Sequence, residues 1–233
     1  MAHNLNTTNF FCRSGLPSRA RFRLWIAVTS AILATAFTWS FAKAMTFEVV
    51  QRRGEPVIIA SGEIGAGDSD RLNATLSKAR RSSGYYLLVL SSPGGSVKEA
   101  FALSRVMDGH YVITYVPSGS VCVSACAAIV FIAGREHVVD PDGKLGFHGC
   151  FDARTKKTVG FCNELIAQHA VAHGTAYGSI MAFIRDVPSS EIYWFNGEGV
   201  DCWAISRYEI TSPPPNYERC VFDAIRGVRD GKN

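Results

Sequence analysis

Residues 121–134 read Val-Cys-Val-Ser-Ala-Cys-Ala-Ala-Ile-Val-Phe-Ile-Ala-Gly. Small residues surround one hydroxyl, Ser124, and an apolar run follows, which indicates a tight turn that feeds a buried helix. The N–H groups at a helix start are unpaired and carry partial positive charge. Ser124 can therefore cap the helix, or it can be a nucleophile whose oxyanion faces free N–H groups. Taken alone, the stretch favours the cap.

Two flanking segments change that balance. Upstream, residues 87–97 read Leu-Leu-Val-Leu-Ser-Ser-Pro-Gly-Gly-Ser-Val, which predicts a buried strand, a sharp glycine turn and a helix. Glycines in such a turn let backbone N–H groups approach a substrate closely. Downstream, residues 144–149 read Lys-Leu-Gly-Phe-His-Gly, a short strand with one histidine, His148. The ordered set is far more specific than any one of its members.

In this order the segments resemble those of the Clp protease proteolytic subunit and its relatives in the Clp/crotonase fold. The resemblance is closer to secreted bacterial members with a Cys-x-Ser-x-Cys nucleophile region, and it covers roughly residues 85–205. It implies an α/β fold with a mostly parallel sheet and flanking helices. It also implies Ser124 as nucleophile and His148 as general base. The N–H groups of Gly95 and Ala125 would form the oxyanion hole, and Gly94 would lie against the substrate.

The third member of a catalytic triad is where the chain departs from this family. The family has an acid after a long helix, just before a segment that corresponds here to residues 195–198, Phe-Asn-Gly-Glu. No Asp precedes that segment directly. Glu191 is the nearest carboxylate and Asp186 is the alternative. A Ser–His dyad and an inactive site therefore both stay open.

Alternating strand and helix patterns support the α/β class. An opening hairpin, residues 46–63, precedes the other elements. Further strands are predicted at residues 85–90, 111–116, 137–139 and 144–149, and helices at residues 70–81, 97–107, 163–185 and 198–204. His169 and His173 fall on one face of the long helix but lack the Glu of a zinc-protease motif, so we expect no metal site.

The N-terminal 44 residues have the composition of a targeting segment. They hold five basic residues and no acidic one, and residues 24–40 are uncharged and apolar or small. Ala42-Lys43-Ala44 fits signal-peptide cleavage, whereas 17 apolar residues are also near the lower limit for a membrane anchor. Both fates predict a periplasmic or other extracytoplasmic location. Without the leader, 19 of the 24 basic residues remain against 20 acidic ones, which gives no basis for nucleic-acid binding.

Cysteine usage agrees with export. Six cysteines follow the leader: Cys122, Cys126, Cys150, Cys162, Cys202 and Cys220. An even number in an exported domain predicts disulfides, with buried free thiols as the alternative. Cys150 with Cys162 is the preferred pair because it brackets a hairpin over residues 151–161. Cys202 with Cys220 would pin the C-terminal tail, and Cys122 with Cys126 would brace the turn at Ser124.

These observations predict three parts: a leader over residues 1–44, an α/β domain over 45–210, and a Pro-rich linker with a C-terminal helix over 211–233. The leading hypothesis is an exported, ATP-independent serine peptidase without a cofactor, which acts on polypeptide and forms homo-oligomers. The alternative from another class is an inactive Clp-fold protein that serves binding or assembly at the membrane.

Overall fold

A computed structural model describes residues 44–79 and 84–207 of the chain. The elements follow in chain order: β1 (Thr46–Arg52), β2 (Glu55–Ser61), α1 (Asp68–Lys78), β3 (Tyr86–Ser91), α2 (Val97–Asp108), β4 (Val112–Val116), β5 (Val121–Val123), a π-helix (Cys126–Phe131), β6 (Glu136–Val139), β7 (Lys144–Phe147), α3 (Gly160–Ala172), α4 (Tyr177–Ile184), β8 (Tyr193–Phe195) and α5 (Gly197–Cys202). The predicted α/β class is confirmed.

The main sheet has five strands in the order β1-β2-β3-β4-β6. Strands β1 and β2 form the predicted antiparallel hairpin, and the other three pairings are parallel. Strand β3 has the sequence Tyr-Leu-Leu-Val-Leu-Ser, and its residues are alternately buried and half-buried. A strand that is covered on both faces in this way reads as a continuous apolar run in a parallel sheet.

A second sheet positions the segments that the sequence singled out. It has the order β5-β7-β8, with β5 parallel to β7 and β8 antiparallel to β7. Val123 pairs with Gly146, so Ser124 and His148 both follow directly from the carboxyl ends of neighbouring strands. Ser92, at the end of β3, donates its N–H to Val121 O and accepts from Val123 N, which ties the two sheets together beside these ends.

The stretch after Ser124 forms a π-helix instead of the predicted α-helix. All six of its residues are buried, and the helix lies within the hydrophobic core. The small side chains of Ala127 and Ala128 suit a segment that is enclosed on every side. Single-turn π-helical segments often occur at functional sites.

The prediction of one helix over residues 163–185 is wrong. Two helices, α3 and α4, occupy this region, and Gly174 separates them with φ +85°. Gly174 N bonds Val171 O and Thr175 N bonds Ala170 O, which is the Schellman pattern that ends a helix. The glycine needed for that pattern was visible in the sequence, but the apolar run on both sides concealed the break.

Several predictions fall on other parts of the chain. The leader, including residues 24–40, and the C-terminal segment 211–233 lie outside the described residues, so their roles stay predictions. Between residues 44 and 207, in the two ranges described, no helix combines the length and apolar character that a membrane crossing needs.

Candidate active site

Ser124 lies in the turn between β5 and the π-helix, and its backbone is held on both sides. Its N–H donates to Gly146 O at 2.8 Å, and its carbonyl accepts from Ala128 N at 2.9 Å. Ser124 has φ +56°, a left-handed conformation that few residues with a side chain adopt. Such conformations cost on the order of 1–3 kcal/mol and persist only where the surroundings enforce them. The turn therefore holds one hydroxyl in a strained position between a strand and a helix.

The interpretation of Ser124 as a helix cap is wrong. The residue at the cap position is Ala125, and no side chain caps the π-helix. A serine cap requires an extended backbone, whereas Ser124 is left-handed. Within residues 44–79 and 84–207, Ser124 Oγ forms no hydrogen bond, and the side chain is half-buried.

The turn after β3 brings backbone amides to the same place. Gly94 and Gly95 have φ +93° and +140°. Ile64 N donates to Gly94 O at 2.7 Å, and Ser96 N donates to Ile64 O at 2.9 Å. The Gly94 carbonyl and the Gly95 N–H belong to one peptide group and point in opposite directions. Since the Gly94 carbonyl faces Ile64, the N–H of Gly95 points away from Ile64.

Gly94 packs directly against the Ser124 turn. A Cβ atom on Gly94 would lie 2.5 Å from Val123 O and 2.8 Å from Ser124 Cβ. A side chain at this position would push the two turns apart. The Pro-Gly-Gly sequence is thus explained by the close approach of the two loops as well as by backbone conformation.

His148 follows β7 and is half-buried. Its Nδ1 lies 2.9 Å from Gly149 O, and its ring centroid lies 5.6 Å from that of Phe151. A carbonyl oxygen only accepts hydrogen bonds, so Nδ1 carries the proton of the neutral ring. Nε2 is then left with a free lone pair, which is the form of histidine that can accept a proton.

One cavity of about 250 Å³ brings four predicted site residues together. Ser124, Ala125, Gly95 and His148 all contribute to its lining. The remaining wall is mostly apolar and comes from Ser96, Val97, Ala128, Cys150, Phe151, Ala153 and Ile166. Gly94, which we expected to lie against the substrate, is buried and does not contribute to the lining. The cavity sits at the carboxyl ends of β3, β5 and β7, where open α/β sheets bind their ligands.

Neither predicted acid contacts His148. The segment that carries Asp186 does run beside the histidine, because Gly149 N donates to Val187 O at 2.8 Å. However, the Asp186 carboxylate is exposed and pairs with Arg185 at 2.9 Å, which lowers the pKa of Asp186. Glu191 is also exposed. Among the described residues, the Gly149 carbonyl is the group that Nδ1 meets.

Two disulfides frame the cavity. Cys122 and Cys126, which flank Ser124 in the sequence, form one disulfide. Cys150 and Cys162 form the other at the base of a hairpin. The bridge between Phe151 and Thr158 confirms that hairpin. Cys202 is disulfide-bonded as well, but its predicted partner Cys220 lies outside the described residues.

Sequence reasoning did not identify the hairpin as part of the site. Phe151 and Ala153 reach the cavity from it, and Ile166 closes the wall from α3. The available signal was the Cys150–Cys162 pair, which starts two residues after His148 and folds the intervening segment back towards it.

A second cavity of about 360 Å³ lies at the amino ends of β4 and β6. Its polar lining includes Asp108, His110, Arg135, His173 and Arg207. His173 Nε2 lies 2.9 Å from Asp108 Oδ1, His173 Nδ1 donates to His169 O at 2.8 Å, and Arg207 donates to His173 O. Burial and the nearby His173 lower the pKa of His169 to about 4. Within the described ranges, no group of acidic, histidine or cysteine side chains is arranged to hold a metal ion.

Comparisons of the chain with known proteins find similarity in structure and none in sequence. No protein-family model matches the chain. No curated protein matches its sequence. Among solved structures, the chain is similar to the crystal structure of the ClpP protease catalytic domain from Plasmodium falciparum. The two share 18% sequence identity with a TM-score of 0.46, over 66% of this chain and 84% of the other.

Proposed function

We propose that this protein is an exported, Clp-like serine hydrolase that cleaves polypeptides by a Ser–His mechanism. The observation that carries the proposal is that Ser124, His148, Gly95 and Ala125 line the same cavity, with Ser124 held at φ +56°. Strained strand-to-helix turns that expose a serine are typical of serine hydrolases on other α/β folds. The sequence resemblance to the Clp family supports the same assignment.

In the proposed reaction, Ser124 Oγ attacks the peptide carbonyl carbon while its proton passes to His148 Nε2. The oxyanion accepts hydrogen bonds from the N–H groups of Gly95 and Ala125, which stabilise the charge as it develops. His148 then gives the proton to the departing amine, and an acyl-enzyme remains on Ser124. Water, deprotonated by His148, releases the acid and restores the serine.

We propose a dyad with a backbone orienter in place of a full triad. In a triad, the carboxylate fixes the histidine tautomer and orientation and stabilises the imidazolium. The Gly149 carbonyl supplies the first two functions at Nδ1. It carries no full charge, so it stabilises the imidazolium less than a carboxylate does. We therefore expect slower turnover than a triad gives.

We further propose an extracytoplasmic location. The cationic and apolar leader supports it, and so do the two disulfides between described cysteines, because disulfides persist in oxidising compartments. Residues 24–40 would serve as signal peptide or membrane anchor. Outside the cytoplasm no ATP is supplied, so the proposed peptidase works without an ATPase, and self-assembly is its expected form of organisation.

The test is a fluorophosphonate probe, applied to the full chain produced under oxidising conditions. An activated serine displaces fluoride from phosphorus and becomes labelled. We expect labelling of the wild type and a loss of at least about 10³-fold in Ser124→Ala, since nucleophile removal abolishes the covalent step. Ser96→Ala is the matched control because Ser96 is the other cavity hydroxyl and caps α2 by accepting from Glu99 N. It should lose some stability and keep its labelling.

The alternative function is that of an inactive Clp-fold binding or assembly protein. It is favoured by the exposed positions of Asp186 and Glu191, which leave His148 without a carboxylate partner among the described residues. A folded wild-type protein that resists the probe at every concentration, and cleaves no peptide, would support this alternative.

A further inference from the structure

A positively charged hairpin borders the candidate active-site cavity. The segment 151–159 carries Arg154, Lys156 and Lys157 against one acidic residue, Asp152. All four side chains are exposed. In the described part of the chain, none of the three cations forms an ion pair with a carboxylate. Their charge is therefore available to a ligand.

Contacts connect these charges to the cavity wall. Lys156 Nζ lies 5.0 Å from the centroid of the Phe151 ring, a cation–π contact. Phe151 lines the cavity and also packs against His148. Phe151 is thus a common neighbour of Lys156, His148 and the cavity.

The hairpin backbone is held independently of these basic side chains. Asp152 Oδ1 accepts from the amides of Arg154 and Thr155, and Asp152 O accepts from Lys156 N. The Cys150–Cys162 disulfide and the bond from Val159 N to Cys150 O close its base. These bonds keep Asp152 occupied within the turn.

The first carboxylate after the hairpin in the chain is already hydrogen-bonded to side chains on α3 and α4. Glu164 accepts hydrogen bonds from Gln168 and Tyr177. The rim formed by the hairpin is therefore the positive side of a largely apolar cavity.

We propose that the hairpin selects acidic polypeptide: an apolar side chain enters the cavity, and a neighbouring Asp or Glu pairs with Lys156 and Lys157. The catalytic role of this preference, which is to select the peptides that are cleaved, rests on the proposed peptidase function. The binding preference itself depends only on the cavity and the hairpin. Recognition of this kind arises from charge complementarity at a rim, where each exposed pair contributes modestly and is weakened by salt.

Binding to the full-length Ser124→Ala variant tests the preference apart from catalysis. The probes are fluorescein-labelled octapeptides of alanine with a central leucine. One residue beside the leucine, on either side, is Asp, Asn or Lys. We expect the better Asp peptide to bind about 3–10-fold tighter than its Asn counterpart at low salt, and less than about 2-fold tighter at ~0.5 M salt.

Two double variants decide which charges are responsible. Lys156→Asn with Lys157→Gln removes the two proposed partners of the acidic residue and leaves Arg154 in place, and Asn suits position 156 because Lys156 has φ +58°. We expect this variant to bind Asp and Asn peptides equally. The control, Lys78→Gln with Lys144→Gln, removes two exposed lysines from α1 and from the far end of β7, and it should keep the preference.

Three outcomes would overturn the inference: equal affinity for Asp and Asn peptides, an equal loss of preference in the control, or no binding of any peptide up to about 1 mM. Failure of the proposed function has a different signature. In that case the wild type would show neither probe labelling nor cleavage, while the Asp preference in the Ser124→Ala variant would still be measurable.

Discussion

Two cavities in the part of the chain that the structure describes differ in which of their polar groups are already hydrogen-bonded. The larger one, at the amino ends of β4 and β6, has more charged residues, but Asp108 meets His173, His173 meets His169 O, and Arg207 meets His173 O. The smaller one, at the carboxyl ends of β3, β5 and β7, has few polar groups. There, Ser124 Oγ has no partner among the described residues, and the N–H of Gly95 points away from its neighbour Ile64.

This difference teaches that unused hydrogen-bonding capacity marks the candidate site better than size or charge does. A partnered histidine contributes to packing and stability, because its ring nitrogens are already bonded. A strained serine beside unpaired amides costs stability, and such strain clusters at active sites.

The largest expected difference is between the histidines of the two cavities. His148→Ala should slow fluorophosphonate labelling by about 10²–10⁴-fold, since it removes the proposed base. His173→Ala should change the labelling rate by less than about threefold. Pseudo-first-order labelling rates at 25 °C measure both, with thermal unfolding as the check that each variant is folded. Equal losses in the two variants would break the contrast between the cavities.

Two glycines with positive φ offer the next comparison. Gly94→Ala should lower the free energy of unfolding by about 2–4 kcal/mol, because its Cβ would press on Val123 O and Ser124 Cβ. Gly119 has φ +78° and open space around its Cβ position. Gly119→Ala should cost only about 1–2 kcal/mol of backbone strain.

Urea unfolding measures the two free energies, and labelling adds a second readout. Gly94→Ala should also lose most of its labelling, whereas Gly119→Ala should keep it. If both variants cost the same stability and keep their labelling, the contact between the two loops is unimportant for the position of Ser124.

The smallest expected difference concerns the two disulfides. Chain-entropy estimates give about 2 kcal/mol for the short Cys122–Cys126 loop and about 3 kcal/mol for the longer Cys150–Cys162 loop. We expect the double alanine variant of Cys150 and Cys162 to be the less stable of the two. The double alanine variant of Cys122 and Cys126 should instead lose about 10-fold more labelling, because that bridge spans Ser124.

Chemical unfolding and probe labelling of both variants separate these effects. If the less stable of the two variants is also the one with the slower labelling, the Cys122–Cys126 bridge contributes to stability alone.

Much of the main sheet could be predicted from the sequence because local patterns determine it. The apolar run of β3 and the helical spacing of α2 gave these elements to within about one residue. Three-residue β5 was missed, since a strand that short is defined by its partners, β7 and Ser92, and not by its own pattern. The π-helix was missed for a related reason: it is defined by i→i+5 hydrogen bonds, and the side-chain pattern of six apolar residues does not distinguish them from the i→i+4 bonds of an α-helix.

In the candidate site, too, the features with a local sequence pattern were predicted, and the features that depend on tertiary contacts were missed. Ser124, His148, Gly95 and Ala125 were singled out from motif order and the family resemblance, and they do line one cavity. Their catalytic roles stay predictions. The part played by Gly149 could not be predicted, because a backbone carbonyl has no sequence signature. Phe151 was missed because its place depends on how the Cys150–Cys162 hairpin folds back.

The parallel pairing of β5 with β7 has a consequence for how such a sequence can diverge. Ser124 N bonds Gly146 O, so the strand register, and not the number of residues in between, sets the distance from Ser124 to His148. Insertions in the exposed turn around residues 141–142 leave that register unchanged, so relatives can differ in length there. A single deletion between Cys122 and Cys126 would change the bridge and the turn at once. The spacing within that motif is therefore the better guide for finding distant relatives.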